Sequence, residues 1–515
     1  MKQYRNKSKF KIAFLLLAVF GLSVSCEDIL DQQPISDILP NEFWKNNSDA
    51  LFGIIAMYDG MQATYRLNYH LWGEFRSDNF KAGSSGVTLD RLELVGQNIT
   101  EGNSTLRWDN LYVLINRANQ AIKYIPTITA YDKSLLAEAH AVRAFSYFKA
   151  INVWGSVPLY TLPTESLTDI QRPRTPGATI LTDVIIPDML KAEELMITNS
   201  SNFRFSKASI YCLQAEVYMW IKDYPKAKAA IEKLIALNAY SLVTTVQAWE
   251  DLFYNTPIST TNPSFRGKIQ TGPELIFSIR FDIAESATGA FAYNRSGVSS
   301  MFYTGIPAFY LSNSLQSKWI QRFPINKTAW ETKYPGVLPA GVTSTGVLVY
   351  GDWRYFLSRD GGYANKAGNV QCAKYNKTAI NGAFDDTDIV IYRYADMILL
   401  LAEAENQLTP DDGAAALARI NQIRTARKLP LATLAEFGAT KEERENYILD
   451  ERQFELLGEG KRWWDLRRTN KALEVLNPIL ETAGLPLLTE DRLLFPIHFV
   501  HLVENPNLLP QNAGY

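Results

Sequence analysis

Three kinds of chemistry are open to the side chains of this sequence: paired carboxylates, histidines at ligand spacing, and aromatic rings beside planar polar groups. Glu451 and Glu455 stand four apart, so a helix puts both on one face, where a sugar-cleaving acid and base would have to converge. Arg452, Lys461 and Arg462 lie close in sequence, and the same pattern is met by a structural ion network. Glu403 and Glu405 are two apart and point to different faces. His498 and His501 are three apart but follow Pro496 and lie outside any H-E-x-x-H frame. Asp385, Asp386 and Asp388 lack EF-hand spacing and read as an acidic turn ahead of a helix. No phosphate-binding G-x-x-x-x-G-K-[ST] and no G-x-S-x-G occurs. The residues thus give no catalytic set, no metal site and no cofactor site.

Binding chemistry is better supplied. A neutral sugar offers apolar C–H faces to aromatic rings and a rim of hydroxyls to Asn, Asp, Gln or Arg. Tyr69, Trp72, Arg76, Asp78 and Asn79 bring both kinds together within one short segment. Tyr293, Trp319, Trp330, Tyr350 and Tyr363 lie in Gly- or Ser-rich surroundings and form a second set. Taken singly, each of these residues is expected in the core rather than at a ligand; as a set, at least two are expected at a ligand. Trp463 and Trp464 are expected to be buried in the scaffold.

The elements that must position these residues begin after an export signal. Lys2, Arg5, Lys7, Lys9 and Lys11 precede an apolar run from Ile12 to Phe20, then Gly21-Leu22-Ser23-Val24-Ser25-Cys26. The apolar run is shorter than the roughly 20 residues needed to span a bilayer. Small residues directly before a cysteine resemble a lipobox, in which the Cys26 thiol is acylated and becomes the new N-terminus. Acyl chains contribute about 0.8 kcal/mol per buried CH₂, enough in pairs to hold a protein on a membrane. Residues 1–25 are therefore read as signal peptide. Glu27, Asp28 and the stretch to Pro34 form an acidic, extended tether.

The chain has 515 residues, is 47% hydrophobic and 21% charged, and so can bury a large core. All five basic residues named above leave with the signal, which takes the formal charge from −2 to about −7. Such a balance has no basic stripe to neutralise phosphates, which argues against a nucleic-acid partner. Of the three cysteines, Cys212 falls on an apolar helix face and Cys372 in a loop, and nothing in their spacing calls for a disulfide.

Helix pairs account for both ends of the mature chain. Trp108, Leu111, Tyr112, Ile115, Ala118 and Ile122 recur at spacings of three and four, and Pro126 closes that helix. Asp132 caps a partner carrying Leu135, Val142, Phe145 and Phe148. Ala208 to Met219, the break at Lys222-Asp223, and Tyr224 to Ile235 form a tight hairpin of the tetratricopeptide type. Ala395–Asn406 and Ala414–Arg427 repeat it, and a last helix starts at Thr440, with Glu443 completing a capping box. Three regions follow: 26–240 with helix pairs, 391–515 with helix pairs and a tail, and 241–390 between them. That middle region is Gly-, Pro-, Ser-, Thr- and Asn-rich with β-leaning runs at Leu275–Ile279 and Val347–Tyr350, and is expected on the ligand side. The fold class is mainly α, a helical-hairpin scaffold with long irregular and short-β insertions.

Against this background the chain resembles the SusD/RagB family of nutrient-binding outer-membrane lipoproteins along nearly its whole mature length. The residues carrying the resemblance are Ser77-Asp78-Asn79, Trp108…Leu111-Tyr112…Asn116-Arg117-Ala118-Asn119, and Trp154-Gly155-Ser156-Val157-Pro158-Leu159-Tyr160. In the C-terminal part they are Arg393-Tyr394-Ala395-Asp396, Glu451-Arg452, Gly458-Glu459-Gly460 with Arg462-Trp463-Trp464-Asp465-Leu466-Arg467-Arg468, and the terminal Gln511-Asn512-Ala513-Gly514-Tyr515. His498 stands where the family usually has a second proline after Phe495-Pro496-Ile497. The resemblance implies a SusD-like fold containing tetratricopeptide helix pairs, anchored through Cys26 to the outer membrane and facing the cell exterior. It implies a lid over a SusC-like TonB-dependent transporter that captures oligosaccharides without covalent chemistry. Capture of peptides or another nutrient is the alternative within the same fold, and a surface glycoside hydrolase is the alternative outside it.

Overall fold

A computed structural model describes residues 43–83, 88–166, 170–253, 256–257, 266–268, 270–281, 298–303, 309–337, 348–375 and 387–515. Cys26, Tyr293, Asp385 and Asp386 lie outside the described residues.

Long helices make the scaffold. They are α1 (Asn47–Tyr65), α2 (Asp109–Tyr124), α3 (Lys133–Trp154), α4 (Ile186–Leu195), α5 (Lys207–Trp220) and α6 (Tyr224–Ala236) in the first half. After α7 (Asn313–Arg322) come α8 (Tyr394–Gln407), α9 (Gly413–Ala426) and α10 (Lys441–Glu455), then the short α11 (Arg462–Arg468) and α12 (Phe499–Glu504), with Ala472–Thr482 helical between them. Each long helix packs on its successor from α1 to α6, α6 then packs on α8, and α8 packs on both α9 and α10. The array is continuous across the chain between α6 and α8, which leaves it after Ala236 and rejoins it at Tyr394.

Local chemistry sets the boundaries. The Asp132 carboxylate accepts the Ser134 N–H and starts α3, and Asp223 accepts the Lys226 N–H to start α6, with Pro225 in its first turn. Thr440 and Glu443 cap α10 reciprocally. Each such cap contributes about 1 kcal/mol. Small residues let the helices approach closely, and Ala139, Ala144, Ala208, Ala215, Ala395 and Ala402 are fully buried.

Short strands tie the middle of the chain to the array. Strands β1 (Phe80–Ala82), β2 (Leu275–Ile279), β3 (Phe309–Leu311) and β4 (Ile389–Arg393) form two antiparallel pairs, β1 with β3 and β2 with β4. Both β2 and β4 are buried along their whole length, so each face packs against protein. The β-leaning run at 347–350 forms no strand where it is described, at 348–350, where Val349 and Tyr350 pack against the core edge instead. Cys212 and Cys372 are both buried and both free. Among the described residues no helix is long and apolar enough to cross a membrane.

Candidate ligand-binding surface

The Ser77-Asp78-Asn79 segment is a buried junction between three parts of the chain. Asp78 receives Arg462 in a two-armed pair at 2.8 and 3.1 Å, and the Gln453 amide at 2.8 Å. Burial alone would raise the Asp78 carboxyl, but Arg462 overrides it and brings it down to about 2. The Asn79 amide donates to Glu74 at 2.6 Å, while its backbone carbonyl accepts the Ser312 N–H at 2.9 Å. Glu74 in turn accepts the N–H groups of Gly458 and Gly460 at 3.0 and 2.9 Å, and burial pushes its carboxyl up to about 7 despite these donors. Gly460 has a positive φ of 69°, and a Cβ there would strike the Tyr69 ring.

Glu451 and Glu455 belong to a second buried cluster. Arg354 pairs with Glu451 at 2.8 Å, with Glu455 at 2.7 Å and with Asp352 at 2.7 Å. Arg427 and Arg393 pair with Glu455 at 2.6 and 2.7 Å and with Glu274 at 2.8 and 2.9 Å. Burial raises the Glu455 carboxyl, yet Arg427, Arg393 and Arg354 together hold it well below the carboxylate range. The pair is thus ionised, fully neutralised and out of contact with solvent. It locks α10 to β2 and β4, and no substrate reaches it. Glu403 and Glu405 have separate partners, Arg468 and Arg419.

The first set of expected ligand residues is interior, which corrects the expectation drawn from their types. Tyr69, Trp72, Arg76, Asp78 and Asn79 are all buried. The Trp72 indole N–H donates to the Thr105 carbonyl at 2.8 Å, and the ring meets Trp154 edge-on. Arg76 donates to Gln97 and to the carbonyls of Arg492 and Leu493, and lies 4.3 Å from the Trp463 ring. Trp463 and Trp464 are buried. In the second set Trp319 is also interior: its N–H donates to Asp352 at 2.9 Å and its ring stacks on Phe454. Trp330 is fully buried against Tyr334. Tyr350 and Tyr363 remain half-buried, with Tyr363 stacked on Phe356.

A surface the residue types alone did not mark lies where this junction meets solvent. Strands β1 and β3 pair Phe80 with Leu311, Lys81 with Tyr310 and Ala82 with Phe309. Phe80, Phe309 and Leu311 face the core, where Phe309 stacks on Phe75 at 3.7 Å. Strand alternation then turns Lys81 and Tyr310 outward together. The Lys81 ammonium donates to Asn313 Oδ1 at 2.9 Å, at the start of α7. One turn on, Gln316 Oε1 accepts Arg359 Nη2 at 3.1 Å, and Arg359 Nη1 donates to Asn365 Oδ1 at 2.6 Å. The carboxamide nitrogens of Asn313 and Asn365 point away from these bonds, on exposed residues, and are open to a ligand. A half-exposed phenol beside amides that the buried Arg359 holds in place is the inventory that sugar hydroxyls and a sugar face require. The signal in the sequence was the in–out–in pattern of Phe80-Lys81-Ala82 and Phe309-Tyr310-Leu311.

Comparison with known proteins accords with the fold. The family described as the SusD family matches residues 328–515, and one described as starch-binding, associating with outer membrane, matches residues 30–219. SusD-like protein P38 of Formosa agariphila is 42% identical, with all of both chains covered. SusD-like protein P2 of the same organism is 26% identical, covering 98% of this chain and 100% of its own. Among solved structures, NanU of B. fragilis superposes with a TM-score of 0.67 at 23% identity, over 94% of this chain and 99% of that one. A structure named as a laminarin-binding SusD-like protein gives 0.66 at 21% identity, over 92% and 100%. On the strength of the full-length relative, whose 42% identity extends from end to end, the chain belongs to the SusD/RagB family.

Proposed function

We propose that this protein is a cell-surface lipoprotein that captures oligosaccharides and delivers them to a SusC-like TonB-dependent transporter in the outer membrane. The observation that carries the binding half is the Lys81–Tyr310–Asn313 face, where open amides stand beside a half-exposed ring. Laminarin binding in a structural relative and the starch-binding description of the family matching residues 30–219 support a glycan as the ligand class. Cys26 supplies the anchor, and the acidic tether after it lets the body sit beside a transporter. Tyr350 and Tyr363, both half-buried, are the expected sequence candidates that keep access to a ligand.

The test is affinity electrophoresis of the mature protein through gels containing starch, laminarin and a wider glycan panel. Retention by at least one glycan, weakened tenfold or more by Tyr310→Ala or Asn313→Ala, is expected. Retention unchanged in both variants sinks the site. Retention by no glycan, with binding of peptides instead, sinks the glycan reading.

A further inference from the structure

A second concavity, sharing no residue with the face above, is built by the start of α2, the segments 158–166 and 170–171, and α12 with the turn after it. Its volume is about 540 Å³, within the range of roughly 300–1,000 Å³ typical of ligand pockets. The floor is apolar, made by Ile115, Pro158, Ile170 and Leu508. Tyr112 and Tyr160 stand in the walls, both half-buried, with ring centroids 5.7 Å apart and planes nearly perpendicular.

The polar groups around this floor are fixed yet incompletely bonded. Asn116 accepts the Thr164 N–H at 2.8 Å through its carbonyl oxygen, which leaves its amide nitrogen to donate into the cleft. Gln171 donates to the Glu504 carbonyl at 2.9 Å, which leaves its own oxygen to accept. The phenol of Tyr112 donates to the Pro158 carbonyl at 2.8 Å, so its oxygen retains lone pairs, and the phenol of Tyr160 is held by the Ile170 carbonyl at 2.5 Å. Cations nearby are already engaged: Arg107 pairs with Asp109, and Arg172 lies over the Tyr160 ring while donating to the Leu159 carbonyl. Among the described residues the cleft therefore offers no free cation to an anionic ligand. One open donor on Asn116, open acceptors on Gln171 and Tyr112, two rings and an apolar floor match a neutral polyol.

We infer that this cleft is a second saccharide-binding site, one that takes a short neutral oligosaccharide independently of the Lys81–Tyr310 face. The assignment rests on the glycan reading above for its ligand class and on the cleft's own geometry for its place. Two sites on one body would let a polysaccharide chain be held at two points, so that release from one leaves it tethered at the other.

The test uses the mature protein with maltohexaose and laminarihexaose as probes. Hydroxyl-radical footprinting at saturating probe should protect Tyr160 and Ile170. Two occlusion variants, Ile170→Arg at a half-exposed position and Asn116→Ala, should each abolish that protection and lower the calorimetric stoichiometry from two to one. Circular dichroism identical to the parent would show that the fold is kept. Tyr310→Ala should remove the other site and leave the protection at Ile170 intact. Binding with a stoichiometry of one, lost in Tyr310→Ala and unchanged in both cleft variants, would overturn the second site while sparing the first. Protection of the cleft by a cationic peptide and by neither sugar would overturn the ligand class. Binding of neither sugar anywhere would overturn both readings together.

Discussion

Arg462 closes on Asp78 with both arms of its guanidinium, at 2.8 and 3.1 Å, across 384 residues of chain. The pair is buried, and Gln453 fills the remaining position on the carboxylate. It joins the segment leading to β1 to the start of α11.

Removing one partner leaves the other charged and unpaired in the interior, which typically costs 3–5 kcal/mol. Asp78→Ala should therefore lower the midpoint of urea unfolding steeply. The double variant Asp78→Ala/Arg462→Met should recover part of the loss. A double variant as unstable as the sum of the singles would show that the pair does not act as a unit.

The same carboxyl makes the fold acid-sensitive. Its value falls from 3.8 unfolded to about 2 folded. For a depressed carboxyl, stability is fully present above the unfolded value and is lost as pH falls through the folded one, here a loss of about 2 kcal/mol between pH 5 and 2. Unfolding curves of the parent and of Asp78→Asn over that range should converge as the pH drops. Parallel curves would assign the acid loss to other groups.

Acid should also act at the second cleft. His501 Nε2 accepts the backbone N–H of Trp108 at 3.2 Å, and the two rings stack at 4.8 Å. Burial lowers the His501 value. Stability from this group is thus present above the usual histidine value and lost as pH falls towards the lowered folded value, because a protonated ring cannot accept that N–H. A change in indole fluorescence between pH 7 and 5, absent in His501→Gln, is expected.

Buried and surface aromatics should part company on mutation. Trp319→Ala deletes a ring stacked on Phe454 and a hydrogen bond to Asp352, and should cost about 3–5 kcal/mol of stability. Its glycan retention at low temperature, measured on the folded fraction, should match the parent. Tyr310→Ala should do the reverse, keeping the melting temperature within a few degrees while losing retention.

Cys26→Ser should abolish incorporation of labelled fatty acid and move the protein from the membrane fraction to the soluble one. Unchanged fractionation would place the anchor elsewhere.

The helix pairs were legible because their apolar residues keep a 3.6-residue period and their caps are local: Asp132, Asp223 and the Thr440–Glu443 box all act within one turn. Helix α1 escaped because Phe52 and Ile55 lie exposed on its outer side and blur that period. The site was harder for a different reason. Tyr69, Trp72, Arg76, Asp78 and Asn79 are the residue types that hold a sugar, and the same types seal a buried polar junction. What decides between the two is the partner, and Arg462, Gln453 and Gly460 are more than 370 positions away. Lys81 and Tyr310 carry no such composition, and only the pairing of β1 with β3 sets them side by side.

Helix α6 packs directly on α8, so the long excursion between Ala236 and Tyr394 begins and ends at neighbouring points of the array. A loop closed in this way by rigid ends grows cheaply, since each doubling of its length adds only about 0.6 kcal/mol of closure entropy. Outside the strands, arginines and buried rings such as Trp319 and Trp330 that anchor it, that stretch can gain, lose or exchange residues while the helices behind it stay in register. A lineage of such chains can then acquire new binding preferences by rewriting one segment, with the helical framework left as it was.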